Sequence, residues 1–536
     1  MENLDFYQNF PELKNQFQED PLLKRYLSST LPDSIYNRIE PILKDLGELA
    51  VGEMLQWAQQ AEAQLPRHIP YDPFGKRIDA IEMNEGWKKI EAVAAKFGIV
   101  AAAYEREFKE WSRTYQMSLL YLFHPSSAFV SCPLAMTDGA ARAIELFGDE
   151  KLKQGAFKNL TSRDPNKFWT SGQWMTEKTG GSDVSGSQTR AKILAENIYE
   201  LYGTKWFTSA TTSQMAITLA RVEGAEVGGK GLSLFYLETR DPEGQLNKIE
   251  IHRLKDKMGT KALPTAELSL KGTRAQLVGG PGQGIKKISA LFNITRIYNA
   301  ICSIAQMRRA LALIWGYGEL RFAFGKKLNE LPLHHRTIEE IEFIWAGCFH
   351  LCMRTSLFLG KEECGSASST ETAVLRALTP VAKLYCGKQV VAVCSEVVEA
   401  FGGAGYIEDT GLPKLLRDAQ TLAIWEGTTN VLSLDLLRAF EKDKADLALV
   451  EEFVELIKQI KSKESQQCLQ EAVQKWQKQL CKAKELGSEI LQREARVLAF
   501  KFAETYIAIL TTLFAEKTQQ AWDQKVATYW QQKVTI

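Results

Sequence analysis

The feature that most constrains this chain is a change of periodicity, from helix to strand near Phe168 and back to helix near residue 280. Upstream, residues 86–123 are Ala-rich, free of Pro and long enough for two or three helices. The segment CPLAMTDGAARAIELFGDEKL reads as another helix, with Thr137 or Asp138 near its start. Between 168 and 280 the runs NIYELYGTKWFTSA, QMAITLARV, LSLFYLET and TAELSLKG alternate apolar and polar residues between Gly, Asp and Pro punctuation, which predicts β-strands. After the turn-like GGPGQG, helical patterns return. Ile341, Ile344, Trp345, Cys348, Leu351 and Cys352 trace one apolar helix face. Beyond residue 445, Leu449, Val450, Phe453, Leu456, Ile457 and Ile460 form another stripe. Strands gathered between helical blocks argue against a doubly wound sheet, where strand and helix alternate throughout. The fold class expected is α+β.

Composition narrows the function. With 66 basic and 65 acidic residues the net charge is +1, so no global field draws nucleic acid or an anionic membrane. The tail, 441–536, is equally balanced, with 15 Lys and Arg against 14 Asp and Glu. Nine cysteines form no disulfide framework and no paired Cys-x-x-Cys ribbons, which fits a reducing compartment. Cys348, His350 and Cys352 could suggest a metal site. On a helix, though, His350 points away from the two cysteines and the neighbours are apolar, so these are read as core residues and no metal is expected. The acidic N-terminus lacks a signal core or a transit pattern, and no run of about 18 apolar residues predicts a spanning helix. A cytoplasmic location is expected.

The chemistry is sought in three segments, since neither a G-x-x-x-x-G-K-[ST] loop nor H-E-x-x-H occurs. In QWMTEKTGGSDVSGSQTRA (173–191), glycines beside Thr176, Ser182 and Thr189 could present N–H and hydroxyl groups to a phosphate or a polar ring edge, or simply form a polar turn. In GTKWFTSA, Trp206 and Thr208 would share one side of a strand, where a ring could stack and a hydroxyl donate, unless Trp206 is ordinary core. In RDAQTLAIWEGTTNVLSLDLLR (417–438), Glu426 is an acid isolated among apolar and hydroxyl residues. It either caps the helix that starts near Thr428 or sits in a dry pocket. There its pKa would rise and suit proton abstraction at carbon. Gly427 would let the backbone approach a ligand.

Taken in order, these segments resemble the acyl-CoA dehydrogenase superfamily, over roughly residues 85–440. The likeness rests on Met175-Thr176-Glu177 with Gly181-Ser182-Asp183, Trp206-Phe207-Thr208, Arg321-Phe322-Ala323-Phe324-Gly325, Gly402-Gly403-Ala404-Gly405 and Trp425-Glu426-Gly427-Thr428. MTEKTGGSDV, RLKDKMG and IWEGTTN look like the alkylation-response, AidB-type branch and its long-chain acyl-CoA dehydrogenase-like relatives. The resemblance implies an N-terminal extension (1–30), an N-terminal helical domain (31–165), a middle β-barrel or sandwich (166–280), a C-terminal four-helix domain (281–445) and an added helical segment (446–536). It implies FAD, with Met175, Thr176, Gly181, Ser182, Trp206 and Thr208 around the flavin ring and Thr208 near N5. Arg321, Phe324 and the turn at Gly403 would hold the FAD of a neighbouring subunit, with Trp425, Thr428 and Asn430 completing the cofactor site. Ser182, Asn293, Arg296 and Gly427 would approach the acyl-CoA or the base loop, and Glu426 would be the base. A homodimer or homotetramer and an electron-transfer flavoprotein partner follow from the same likeness.

Pro332 and Glu399 stand where many members carry Gln, and Trp425 replaces the commoner Tyr, which leaves acyl length open. Two other readings compete: an acyl-CoA-binding flavoprotein with little turnover, and an AidB-like DNA-associated stress protein. Retention of Glu426 argues against the first and the near-neutral tail against the second. A nitroalkane-oxidising relative would carry Asp at the base position.

Overall fold

The computed structural model describes residues 8–535, in two compact units. One comprises residues 52–107 and 118–298 and contains the sheet. The hairpin β1 (Arg67–Tyr71) and β2 (Arg77–Glu82) precedes the strands β3 (Ser171–Trp174), β4 (Arg190–Ala195), β5 (Ile198–Ser209), β6 (Met215–Val222), β7 (Leu232–Glu238), β8 (Ile249–Leu254) and β9 (Thr265–Val278). Pairing runs β6–β4–β5–β9–β7 and back to β6, so the sheet closes into a barrel; β3 adds to β6 and β8 to β9. Closure removes the exposed edges that an open sheet of this kind would carry. Alternate residues of β6 serve two cores. Ala216 and Ala220 pack with Phe235, Leu237, Leu268 and Trp174. Met215, Ile217 and Leu219 pack against the helix Ser131–Phe147 through Ala140 and Ile144.

Three sequence expectations change here. The hairpin Arg67–Glu82 interrupts a region read as helical. Asp79 anchors it, accepting from His68 Nε2 (2.8 Å), Arg77 Nε (2.8 Å) and Ile251 N (3.0 Å). The helix expected to start at Thr137 or Asp138 starts at Ser131, and both residues lie buried inside it. Asp138 tolerates burial there because the hydroxyls of Tyr104 (2.7 Å) and Tyr298 (2.9 Å) donate to its carboxylate. GGPGQG is the sheet-to-helix turn expected, with Gly279, Gly280 and Gly282 all left-handed at φ 68°, 79° and 71°.

The other unit takes residues 8–51, 108–117 and 299–535 and is almost wholly helical. Helices Pro332–Glu363 and Ser369–Ala400 form its centre; the second opens on a capping box between Ser368 and Glu371. The tail helices Lys463–Glu485, Ser488–Thr518 and Ala521–Thr535 pack within this unit. Trp530 donates to Phe343 O (2.9 Å) and lies where a Cβ on Gly347 would stand 2.5 Å from its ring, so only glycine fits. Cys348, Cys352 and His350 are core residues, and burial holds His350 down at about 3, hence neutral.

Contrary to the expectation drawn from uninterrupted apolar runs, Gly284–Leu320, Pro332–Glu363 and Ser488–Thr518 are long and apolar enough to cross a membrane. Their most apolar stretches are 72%, 89% and 67% buried inside the protein, which accounts for the composition.

Candidate functional site

Met175, Thr176, Gly181, Ser182, Trp206 and Thr208 all lie in the barrel unit. Strand β3 ends at Trp174, and the chain turns tightly at Glu177–Gly180, whose backbones bond each other in both directions (3.1 and 3.2 Å). Trp206 N–H donates to Thr176 O (2.9 Å), joining this turn to β5. A Cβ on Gly181 would come within 3.0 Å of the Thr176 methyl, so glycine keeps the loop close. Met175 is buried, Thr176 half-buried, and Gly181 and Ser182 exposed. The amides of Gly181 and Ser182 meet no acceptor among the described residues.

The expected alternation of Trp206 and Thr208 does not run through this point. A bulge between Lys205 and Thr208 inserts an extra residue opposite β9. Lys205 and Thr208 are fully buried, Trp206 is half-buried and Phe207 exposed. The Thr208 hydroxyl donates to Ala266 O (2.8 Å). Two ammonium groups lie over the Trp206 ring, Lys255 at 3.8 Å and Lys178 at 4.8 Å from its centroid. Asn293 and Arg296 are half-buried on the helix that begins at Gly284.

Glu177 belongs to the Met175-Thr176-Glu177 motif, which gives it no role, and Lys205 has no motif signal of its own. The Glu177 carboxylate accepts from Lys205 Nζ (2.8 Å), Ser187 Oγ (2.5 Å), Thr189 Oγ1 (2.5 Å) and Gln188 N (2.6 Å). The available sequence signal was the pair of hydroxyl residues closing the Gly-rich segment.

The base loop is built in the helical unit. Helix Leu412–Ile424 stops at Trp425, whose backbone is extended. Glu426 and Gly427 then take left-handed conformations, φ 58° and 104°. Thr428 is the N-cap of helix Thr429–Asp443, so Glu426 is not the cap that the sequence left open. For a residue with a Cβ, such a φ costs on the order of 1 kcal/mol or more, and strain of this kind gathers at working sites. A Cβ on Gly427 would also meet Leu432 at 2.8 Å. Buried Lys383 donates to Gly427 O (2.6 Å), fixing the loop from behind, a contact with no sequence signal. Glu426 is half-buried, and Thr428 and Asn430 are exposed.

In the same unit, Phe322–Ala323 and Lys326–Lys327 form a small hairpin around Phe324-Gly325, both at positive φ (53° and 77°). Phe324 is 94% exposed at its tip, Phe322 is 61% exposed and Tyr406, beside the Gly402–Gly405 turn, 89%. Arg321 is exposed too, with one long bond to Gln8 (3.4 Å).

Comparison with known proteins decides the family. Residues 9–166 match the adaptive response protein AidB N-terminal domain, 172–273 the acyl-CoA dehydrogenase middle domain and 282–441 its C-terminal domain. "Acyl-CoA dehydrogenase family member 11" of Caenorhabditis elegans is 43% identical over 523 residues, covering 94% of this chain and 85% of that protein. The chain belongs to the acyl-CoA dehydrogenase family. "Putative acyl-CoA dehydrogenase AidB" of Escherichia coli is 30% identical over 83% of this chain and 81% of its own. Among solved structures, C. elegans ACDH-11 in complex with C11-CoA superposes with a TM-score of 0.96 at 41% identity, over 99% of this chain and 93% of that one. The apo-form of Bd2924 gives 0.90 at 52% identity, over 95% and 100%. The expected family, its α, β, α fold and the FAD-dependent oxidoreductase class are thereby borne out.

Proposed function

We propose that the protein catalyses α,β-dehydrogenation of a medium- or long-chain acyl-CoA thioester to the trans-2-enoyl-CoA, with Glu426 as the base. The observation that carries this reading is the Glu426 carboxylate on the first of two successive left-handed residues, the second of which, Gly427, is held through its carbonyl by the buried Lys383, in a member of this family. The exposed amides of Gly181 and Ser182, the Thr176 hydroxyl and the Trp206 ring form a donor set and a flat face of the kind a flavin ring edge needs. FAD, when bound, supplies the hydride acceptor at N5.

The chain's own residues do the rest. Glu426 removes the α-proton through its carboxylate, a step that positioned bases typically accelerate about 10²–10⁴-fold. Its backbone N–H donates to the thioester carbonyl and stabilises enolate-like charge there. Gly427 admits the substrate close to the backbone, and Ser182, Asn293 and Arg296 face the acyl-CoA. Thr428 and Asn430 complete the cofactor contacts, while Thr208, expected near N5, is buried with its hydroxyl on Ala266 O and supports the strand from within.

Exposure of Phe322, Phe324 and Tyr406 beside Arg321 and Gly403 supports a homodimer or homotetramer in which these groups meet a neighbouring subunit's FAD. An electron-transfer flavoprotein is the acceptor in this reading, and the location is cytoplasmic. C11-CoA in the ACDH-11 complex supports an acyl chain of medium length or longer. Anaerobic titration with acyl-CoAs of graded length tests this: the yellow protein should bleach best with medium or long chains. A colourless protein that takes up no FAD, or a flavin indifferent to every acyl-CoA, would reject it.

A further inference from the structure

We propose that Glu177 and Lys205 are a positioning pair that fixes the loop 175–189 against the strand carrying Trp206, and so sets the geometry of the flavin-facing surface. The inference rests on the flavin reading above. Glu177 follows Thr176 directly, and Lys205 precedes Trp206 directly, so the ion pair and the bond from Trp206 N to Thr176 O (2.9 Å) clamp the same two strands of chain side by side. The carboxylate also closes the loop on itself, because Ser187, Gln188 and Thr189 all donate to it across the segment that carries Gly181 and Ser182. Lys205, with no exposed surface, uses a second hydrogen on Leu219 O (3.2 Å) and ties the hub to β6.

Stability alone is a poor reason for such a hub. Apolar residues of similar volume usually serve a core as well as a buried ion pair. Burial works to raise the Glu177 carboxyl, yet the Lys205 charge and the hydrogen bonds from Lys205, Ser187 and Thr189 outweigh it and hold the pKa at about 2. The carboxylate therefore stays charged, with its acceptor sites saturated. Moving it would displace Thr176, Gly181, Ser182 and Trp206 together, which apolar packing would not enforce.

The test compares the native holoprotein with Glu177→Gln, Lys205→Met and the double variant, each measured at the same interval below its own Tm. Hydrogen exchange is read in residues 178–189 and 205–208, with β7 as the internal reference, and flavin reduction by acyl-CoA is read per bound flavin. We expect both single variants to exchange at least about tenfold faster in the two segments, with β7 within about twofold. Flavin reduction should slow at least about tenfold, with the acyl-CoA KM little changed. The double variant, which buries no unpaired charge, should recover Tm but neither the protection nor the rate, and it keeps the test open if a single variant fails to fold. Equal acceleration in β7, or a double variant that recovers protection together with Tm, would overturn the positioning role. If no acyl-CoA reduces the native flavin, the functional reading fails, while the exchange comparison still decides the pairing.

Discussion

Residues 425–428 turn through two consecutive left-handed positions, with Lys383 donating to the Gly427 carbonyl, whereas residues 175–208 gather five donor groups onto one buried carboxylate. Glu426 is half-buried with its backbone strained; Glu177 is 5% exposed with its backbone relaxed. The contrast separates two uses of the same side chain. In the proposed reaction Glu426 takes up a proton, and its carboxylate is partly accessible on a strained backbone next to the Lys383 bond to Gly427 O. A carboxylate that must never change state is surrounded by donors. Strain lowers stability at the proposed base, and satisfied polar groups hold the frame around the barrel loop.

The contrast breaks most visibly if the two glutamates are neutralised in turn. Glu426→Gln should slow flavin reduction by acyl-CoA about 10²–10⁴-fold while FAD and acyl-CoA binding persist, as read by stopped-flow absorbance. Glu177→Gln should instead destabilise the protein by about 3–5 kcal/mol in denaturant unfolding, because Lys205 is left buried without its partner.

Acid sharpens the same difference. The Glu177 pKa is lowered from 4.5 to about 2 on folding, so its contribution is fully present above pH 4.5 and is lost as pH falls through about 2. On the order of 3 kcal/mol should disappear across that window. Denaturation curves at stepped pH should show the loss in the native protein and much less of it in Glu177→Gln. Gly427→Ala should cost about 1–3 kcal/mol, measured as a fall in Tm, since φ is 104° and Leu432 blocks the new methyl. The smallest effect has the opposite sign. Glu426→Gly should stabilise the fold by up to about 1 kcal/mol while abolishing turnover, because glycine relieves the left-handed strain.

Much of this was legible in the sequence. The helix-to-strand-to-helix order placed the barrel, because periods of about 3.6 and 2 survive in single segments. Glu426 stood out as an isolated acid, and Gly427 as the residue that a close backbone approach requires. What stayed hidden depends on pairing between distant residues. Lys205 and Glu177 lie 28 positions apart, and the ion pair exists only in one register of β5 against the preceding turn. The bulge after Lys205 is set by β9, some 60 residues on, so the simple alternation of Trp206 and Thr208 could not reveal it. The hairpin at Arg67–Glu82 contains Pro70 and Pro73 in and beside its first strand, which weakens a strand signal; its anchor, Asp79, bonds to Ile251 far along the chain.

The most direct measurement mixes the native holoprotein, without oxygen, with the acyl-CoA that bleaches it best, and follows the flavin's visible band together with the thioester product. The account predicts loss of the band with one trans-2-enoyl-CoA formed per flavin, and neither in Glu426→Gln. A native flavin that stays oxidised, or reduction that proceeds unchanged in Glu426→Gln, would contradict it.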